Sequence, residues 1–282
     1  MPSTYADSVS GMRAWWGVEG VTITTSQIDA TGDWFHDCLD AIVPGETPRD
    51  CYDADSGNGG YTTPRRCVAD VKCVIDWMTR RHHDREVALA PEATNPASEG
   101  DRPALLGWSQ GALVAQMYAQ RHGPATLSDL VLYGTIFDPD VAHPRRPLYD
   151  PSGQLIRKPP PPEAANTAAA ALEDFTVPGS VDAGAATAFA RLALAADPVK
   201  AAWEELHEFD GLEPARLRVP TLVVAGARDP YVRPGAQLEL FARLGSEDKA
   251  MCVLPDCDHP AHILKNRNMF VRAVTGFLSR KS

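Results

Sequence analysis

No uninterrupted apolar run in this chain approaches the ~20 residues that a membrane-crossing helix needs, so a helical span is excluded. No cluster of lysine or arginine stands out either. The 27 basic side chains are outnumbered by 37 acidic ones, for a net charge of −10, and a phosphate backbone would meet repulsion rather than counterion release. Nucleic acid is therefore not expected as a partner. Residues 1–16 lack a charged segment followed by an apolar one, and the expectation is an unexported, cytoplasmic chain. The six cysteines, Cys38, Cys51, Cys67, Cys73, Cys252 and Cys257, fall at irregular intervals and suggest no disulfide framework. Neither Cys67 with Cys73 nor Cys252 with Cys257 has the spacing and the matching second pair that zinc favours, so buried thiols and no metal are expected. Repeats and a disordered composition are also missing: 44% of residues are hydrophobic and 23% charged, as in ordinary globular proteins.

What is present is a length, 282 residues, that suits one large α/β domain with an insertion. Short apolar runs alternate with longer amphipathic stretches, the pattern of a parallel sheet with crossover helices. Strands are expected at residues 21–25, 51–54, 103–106, 130–133, 219–225 and 250–254. Helices are expected at 31–42, 64–81, 112–121, 235–244 and 268–278. In the second helix Val68, Val71, Val74, Ile75 and Met78 share one face, and in the last Phe270, Val274 and Phe277 do so. Residues 82–102 read as an exposed loop. The proline-dense stretch 138–162, ending in four consecutive prolines, cannot hold a regular element. Alanine-rich segments 164–172, 183–196 and 198–207 read as helices with no strand among them.

Gly107-Trp108-Ser109-Gln110-Gly111 lies between a strand and a helix, where a G-x-S-x-G sequence makes a nucleophile elbow. The serine must sit on a sharp turn for its hydroxyl to leave the sheet, and the glycines give room where strand and helix nearly collide. A serine hydroxyl is a weak nucleophile at neutral pH and needs a base, itself oriented by a carboxylate. Asp229 follows the strong strand at 219–225, and His259 follows the strand at 250–254. Their order after Ser109 is the one this kind of elbow requires. His262 competes as the base and Asp138 as the acid, whereas Asp256 and Asp258 suit turns.

These segments resemble the α/β-hydrolase superfamily, specifically its serine branch with a helical cap, over residues 21–278. The elbow, the run Pro220-Thr-Leu-Val-Val-Ala-Gly-Ala-Arg-Asp-Pro230, and Pro255-Asp-Cys-Asp-His259 with the closing helix beyond carry the likeness. It implies a mostly parallel, doubly wound sheet formed by residues 1–137 and 214–282, with 138–213 as an inserted cap. Ser109 would be the nucleophile, Asp229 the orienting acid and His259 the general base. Backbone N–H groups of Gln110 and Ile28 would form the oxyanion hole. Ser26-Gln27 stand where such proteins usually have His-Gly, Ser56 stands where an arginine is common, and the residues before Val21 are too few for the usual leading hairpin. Trp108, Tyr231, Phe175, Phe189 and Trp203 are candidate walls of a substrate pocket, each equally suited to packing. The implied activity is cleavage of a small-molecule carboxylic ester, lactone or thioester through an acyl-enzyme, without cofactor. Alternatives on the same triad are C–C bond hydrolysis and cofactor-free haloperoxidation; a different class is a non-catalytic ligand-binding member of the fold. Dehalogenase and epoxide-hydrolase chemistry would put an aspartate where Ser109 stands.

Overall fold

The central strands, at residues 104–108, 130–133 and 221–226, are apolar at nearly every position, which only a sheet covered on both faces can accommodate. The computed structural model describes residues 21–24, 61–89, 102–143, 150, 152, 154, 165, 167–196 and 202–280. Five strands form the main sheet in the order β1, β3, β4, β6, β7: β1 (Val21–Thr24), β3 (Ala104–Trp108), β4 (Leu130–Tyr133), β6 (Thr221–Gly226) and β7 (Lys249–Leu254). β3, β4, β6 and β7 are mutually parallel. Successive residues then turn to opposite faces. Leu105, Leu130, Leu132 and Val223 enter one core, and Leu106, Val131, Tyr133, Leu222 and Val224 enter the other.

Helices cover both layers. The first core receives α1 (Pro64–Leu89) through Val68, Val71 and Ile75, α2 (Gln110–Thr126) through Leu113, Val114 and Met117, and α5 (Pro234–Arg243) through Leu240. The second core receives α6 (Asn268–Leu278) through Phe270, Val274 and Phe277. All five apolar residues read onto one face of α1 are buried. Between β4 and β6 lie α3 (Ala168–Leu172) and α4 (Ala183–Ala196). α3 opens with Thr167, whose side chain accepts from the Ala170 N–H as an N-cap. Among the described residues, no helix is long and apolar enough to cross a membrane.

Two local readings need correction. Residues 82–89, expected in an exposed loop, are helical, because α1 continues to Leu89. No proline or glycine interrupts the chain until Pro91, and charged residues are compatible with the outer turns of a helix. In the described part of the helix expected at 198–207, residues 202–207, a two-residue strand, β5 (Ala202–Trp203), runs parallel to β2 (Tyr61–Thr62), and a 3-10 turn starts at Leu206 and runs to Gly211. Here tertiary contacts override alanine's helix preference: Trp203 packs on the first core beside Phe209, and Glu208 accepts the Arg65 N–H at the start of α1. The strand expected at 21–25 is β1, which joins the edge of the mostly parallel sheet antiparallel to β3, with Val21 opposite Gly107 and Thr24 opposite Ala104. The elements expected at 31–42 and 51–54, together with Ile28, Cys38, Cys51 and Ser56, lie outside the described residues. Cys67 and Cys257 are buried thiols, while Cys73 and Cys252 are partly exposed.

Candidate active site

Where β3 ends and α2 begins, Ser109 has φ 57° and ψ −128°. A non-glycine residue in such a conformation costs of order 1–3 kcal/mol, which the surrounding structure must supply. Ser109 N–H donates to the Tyr133 carbonyl at 3.0 Å, fastening the turn to β4. The side chain makes no capping bond to the helix it precedes. Gly107 permits the crossing: a Cβ there would lie 2.5 Å from the Gly111 carbonyl oxygen and 2.7 Å from the Ala112 Cα and Ala115 Cβ. The positive end of α2 begins at Gln110, beside the serine, as an anion-stabilising site requires.

Asp229 and His259 come from the loops after β6 and β7, the same end of the parallel sheet. His259 Nδ1 is 2.8 Å from Asp229 Oδ2, and their side chains are 2% and 0% exposed. The other carboxylate oxygen, Oδ1, accepts the Tyr231 N–H at 2.9 Å. With both oxygens engaged, the carboxylate is fixed in orientation and can hold an imidazole in one tautomer. Gly134, the first residue after β4, has φ +50° and backs the pair. Its Cβ position would be 3.2 Å from His259 Cε1 and Nδ1 and 3.3 Å from Asp229 Oδ2.

The histidine loop is also held from below. Trp108 Nε1 and the Tyr133 hydroxyl both donate to the His259 carbonyl, at 3.2 and 2.6 Å. The indole ring of Trp108 lies 5.1 Å from the His259 ring and 4.9 Å from that of His262. Trp108 therefore supports the histidine from inside, a role its position beside the nucleophile did not disclose. His262 packs behind, its backbone N–H donating to the Tyr133 hydroxyl. Burial drives its pKa down to about 3, with His259 adding to the effect, so it is neutral at physiological pH.

The segment that joins α3 to α4 is hydrogen-bonded to the histidine loop. Phe175 packs on the second core and meets the buried Phe189 edge to face at 5.4 Å. Tyr231 stands edge-on to His259 at 4.9 Å, nearly half exposed, with its hydroxyl toward Asp174. Burial, then the neighbouring Asp174, pushes its phenol up to about 12. Asp174 was not singled out in the sequence, where nothing but its place between two alanine-rich helices marks it. Burial raises its carboxyl pKa, and His259 and Tyr231 act against the shift. Asp258, read as a turn residue, is fully buried and accepts the backbone N–H groups of Thr176 and Val177.

Other candidates do not converge here. Trp203 packs with the core on the opposite face of the sheet from Phe175. Asp138 is engaged by the Arg233 guanidinium, at 2.6 Å to Nε and 2.5 Å to Nη2, and Arg233 holds its carboxyl below the usual range. Ile28 lies outside the described residues, and the carboxyl end of β1, Thr24, sits against Ala104 at the end of β3 remote from Ser109.

Residues 32–272 match the model of a family described as the alpha/beta hydrolase family. No curated protein matches the chain. Among solved structures, the chain is similar to a thermophilic esterase from Thermogutta terrifontis, at 18% identity and TM-score 0.46, over 78% of this chain and 73% of that one. It is also similar to a putative aryl esterase from Burkholderia cenocepacia, at 21% identity and TM-score 0.45, over 80% and 73%. A serine hydrolase involved in carbazole degradation aligns at 19% identity and TM-score 0.44, over 78% and 72%.

Proposed function

The chain belongs to the alpha/beta hydrolase family, and on that premise we propose that it is a serine hydrolase cleaving a carboxylic ester, lactone or thioester through an acyl-enzyme. The observation that carries this reading is the buried Asp229–His259 pair, 2.8 Å apart, at the same sheet end as a serine on a strained elbow. Ser109 Oγ attacks the substrate carbonyl as His259 Nε2 takes its proton. Asp229 keeps the imidazole proton on Nδ1 and stabilises the cation that forms. The Gln110 N–H, at the positive end of α2, binds the developing oxyanion. His259 then returns the proton to the leaving group, and water attacks the acyl-enzyme by the same steps in reverse. The neutral, inward-packed His262 and the Arg233-bound Asp138 support giving the roles to His259 and Asp229. The segment 138–213 serves as a cap, and the Phe175–Phe189 pair with Tyr231 supplies apolar and phenolic surface for substrate. No cofactor has a role in this scheme, and the substrate is a small molecule handled in the cytoplasm.

Hydrolysis of p-nitrophenyl acetate by three variants tests the assignment. His259→Ala is expected to abolish turnover above background and His262→Ala to retain most of it, while Ser109→Ala is inactive. The reverse order for the two histidines would move the base to His262.

A further inference from the structure

The segment between α3 and α4 is joined to the histidine loop by polar contacts that the catalytic scheme does not use. Asp258 Oδ2 accepts the N–H groups of Thr176 and Val177 at 2.9 and 3.0 Å. Lys265 N–H donates to the Ser180 carbonyl at 2.8 Å, and Lys265 Nζ pairs with Asp182 Oδ1 at 3.1 Å. Phe175 and Val181 pack on the apolar cluster that also holds Cys257, Ala261 and Leu264. Two runs of chain, one from the insertion and one after β7, are thus fastened along their length. At one end of this seam Asp258 immediately precedes His259. A fully buried carboxylate is costly without hydrogen-bond donors, and the two backbone donors on Oδ2 hold it in place.

We propose that Asp258 is a positioning residue that makes the placement of His259 depend on the seating of residues 174–182 against the histidine loop. This rests on the serine-hydrolase reading for its consequence in turnover, but the coupling itself is a structural claim about this chain. The requirement is for an acceptor at Oδ2, not for a charge. The second oxygen, Oδ1, has no hydrogen-bonding partner among the described residues, so an amide nitrogen could take its place.

The test uses the full chain and two variants, Asp258→Ala and Asp258→Asn, with three readouts: amide exchange, the low-field Nδ1–H resonance of His259, and kinetics on p-nitrophenyl acetate. In Asp258→Ala, exchange at Thr176 and Val177 is expected to accelerate at least about 10-fold, while Val131 and Leu132 in β4 keep their protection. The His259 resonance is expected to broaden or vanish, and kcat to fall about 10- to 100-fold with KM nearly unchanged. Asp258→Asn is expected to restore all three to near the parent values. The proposal is overturned if Asp258→Ala leaves the His259 resonance and kcat intact, if its exchange accelerates equally across β4, or if Asp258→Asn is as impaired as Asp258→Ala. A parent protein that cleaves no ester would defeat the hydrolase reading. Exchange and the His259 resonance would still decide the coupling.

Discussion

Gly134→Ala adds one methyl group at the place where β4 meets the Asp229–His259 pair. Two costs follow from the structure. The backbone there has φ +50°, a conformation that costs an L-residue about 1–2 kcal/mol. The new Cβ would also lie 3.2 Å from His259 Cε1 and Nδ1 and 3.3 Å from Asp229 Oδ2. Carbon contacts prefer about 3.5–4.0 Å, so the imidazole must move by roughly 0.3–0.5 Å or the loop must open. The first cost is one of stability and is expected to lower Tm by about 2–6 °C in a domain of this size. The second is catalytic, because a misplacement of about 1 Å can cost 10²-fold, and half of that displacement is expected to lower kcat about 10-fold. Thermal unfolding followed by circular dichroism and steady-state hydrolysis of p-nitrophenyl acetate separate the two. Parent-like kcat together with parent-like Tm would refute both the strain and the contact reasoning. A lowered Tm with parent-like kcat would refute only the claim that Gly134 sets the position of the histidine.

Asp229→Asn is expected to lower kcat by about 10⁴-fold, because the amide favours the wrong imidazole tautomer; Asp138→Asn, which loosens only the Arg233 contact, is expected to leave kcat near the parent value. His262 gives an acid sensitivity whose sign is fixed by its depressed pKa. The unfolded chain binds this proton below about pH 6.5, whereas the folded protein resists it down to about pH 3, so stability falls as pH drops through that window. Between pH 6.5 and 4 the loss from this group is expected to be about 3 kcal/mol, measurable by urea unfolding, and His262→Gln should remove it. An unchanged pH dependence in that variant would mean that His262 is not held neutral by the fold.

Much of this architecture could be read without coordinates, for physical reasons. The β4 run Leu-Val-Leu-Tyr and the β6 run Thr-Leu-Val-Val-Ala-Gly are apolar at nearly every position because both sheet faces are covered. The face of α6 is legible from the spacing of Phe270, Val274 and Phe277, and the elbow from glycines that a close strand–helix crossing demands. Long-range pairing was not legible. β5 is two residues long and exists because Trp203 and Thr62 meet across the fold, against the helical tendency of its own neighbours. The antiparallel direction of β1 is likewise set by its partner rather than by Val-Thr-Ile-Thr itself. Within the candidate site, Ser109, Asp229 and His259 carry local signatures, a turn glycine pattern or a place just after a strand. Asp174, Asp258 and the inward-facing Trp108 do not, because their surroundings come from chain segments far away in the sequence.

Covalent capture of Ser109 tests the central claim most directly. Incubation with an alkyl fluorophosphonate followed by peptide mass spectrometry is expected to place a single phosphonyl adduct on Ser109, and the adduct should be lost in Ser109→Ala and strongly slowed in His259→Ala. A parent protein that fails to react, or a Ser109→Ala variant that labels equally well, would contradict the assignment of Ser109 as the activated nucleophile.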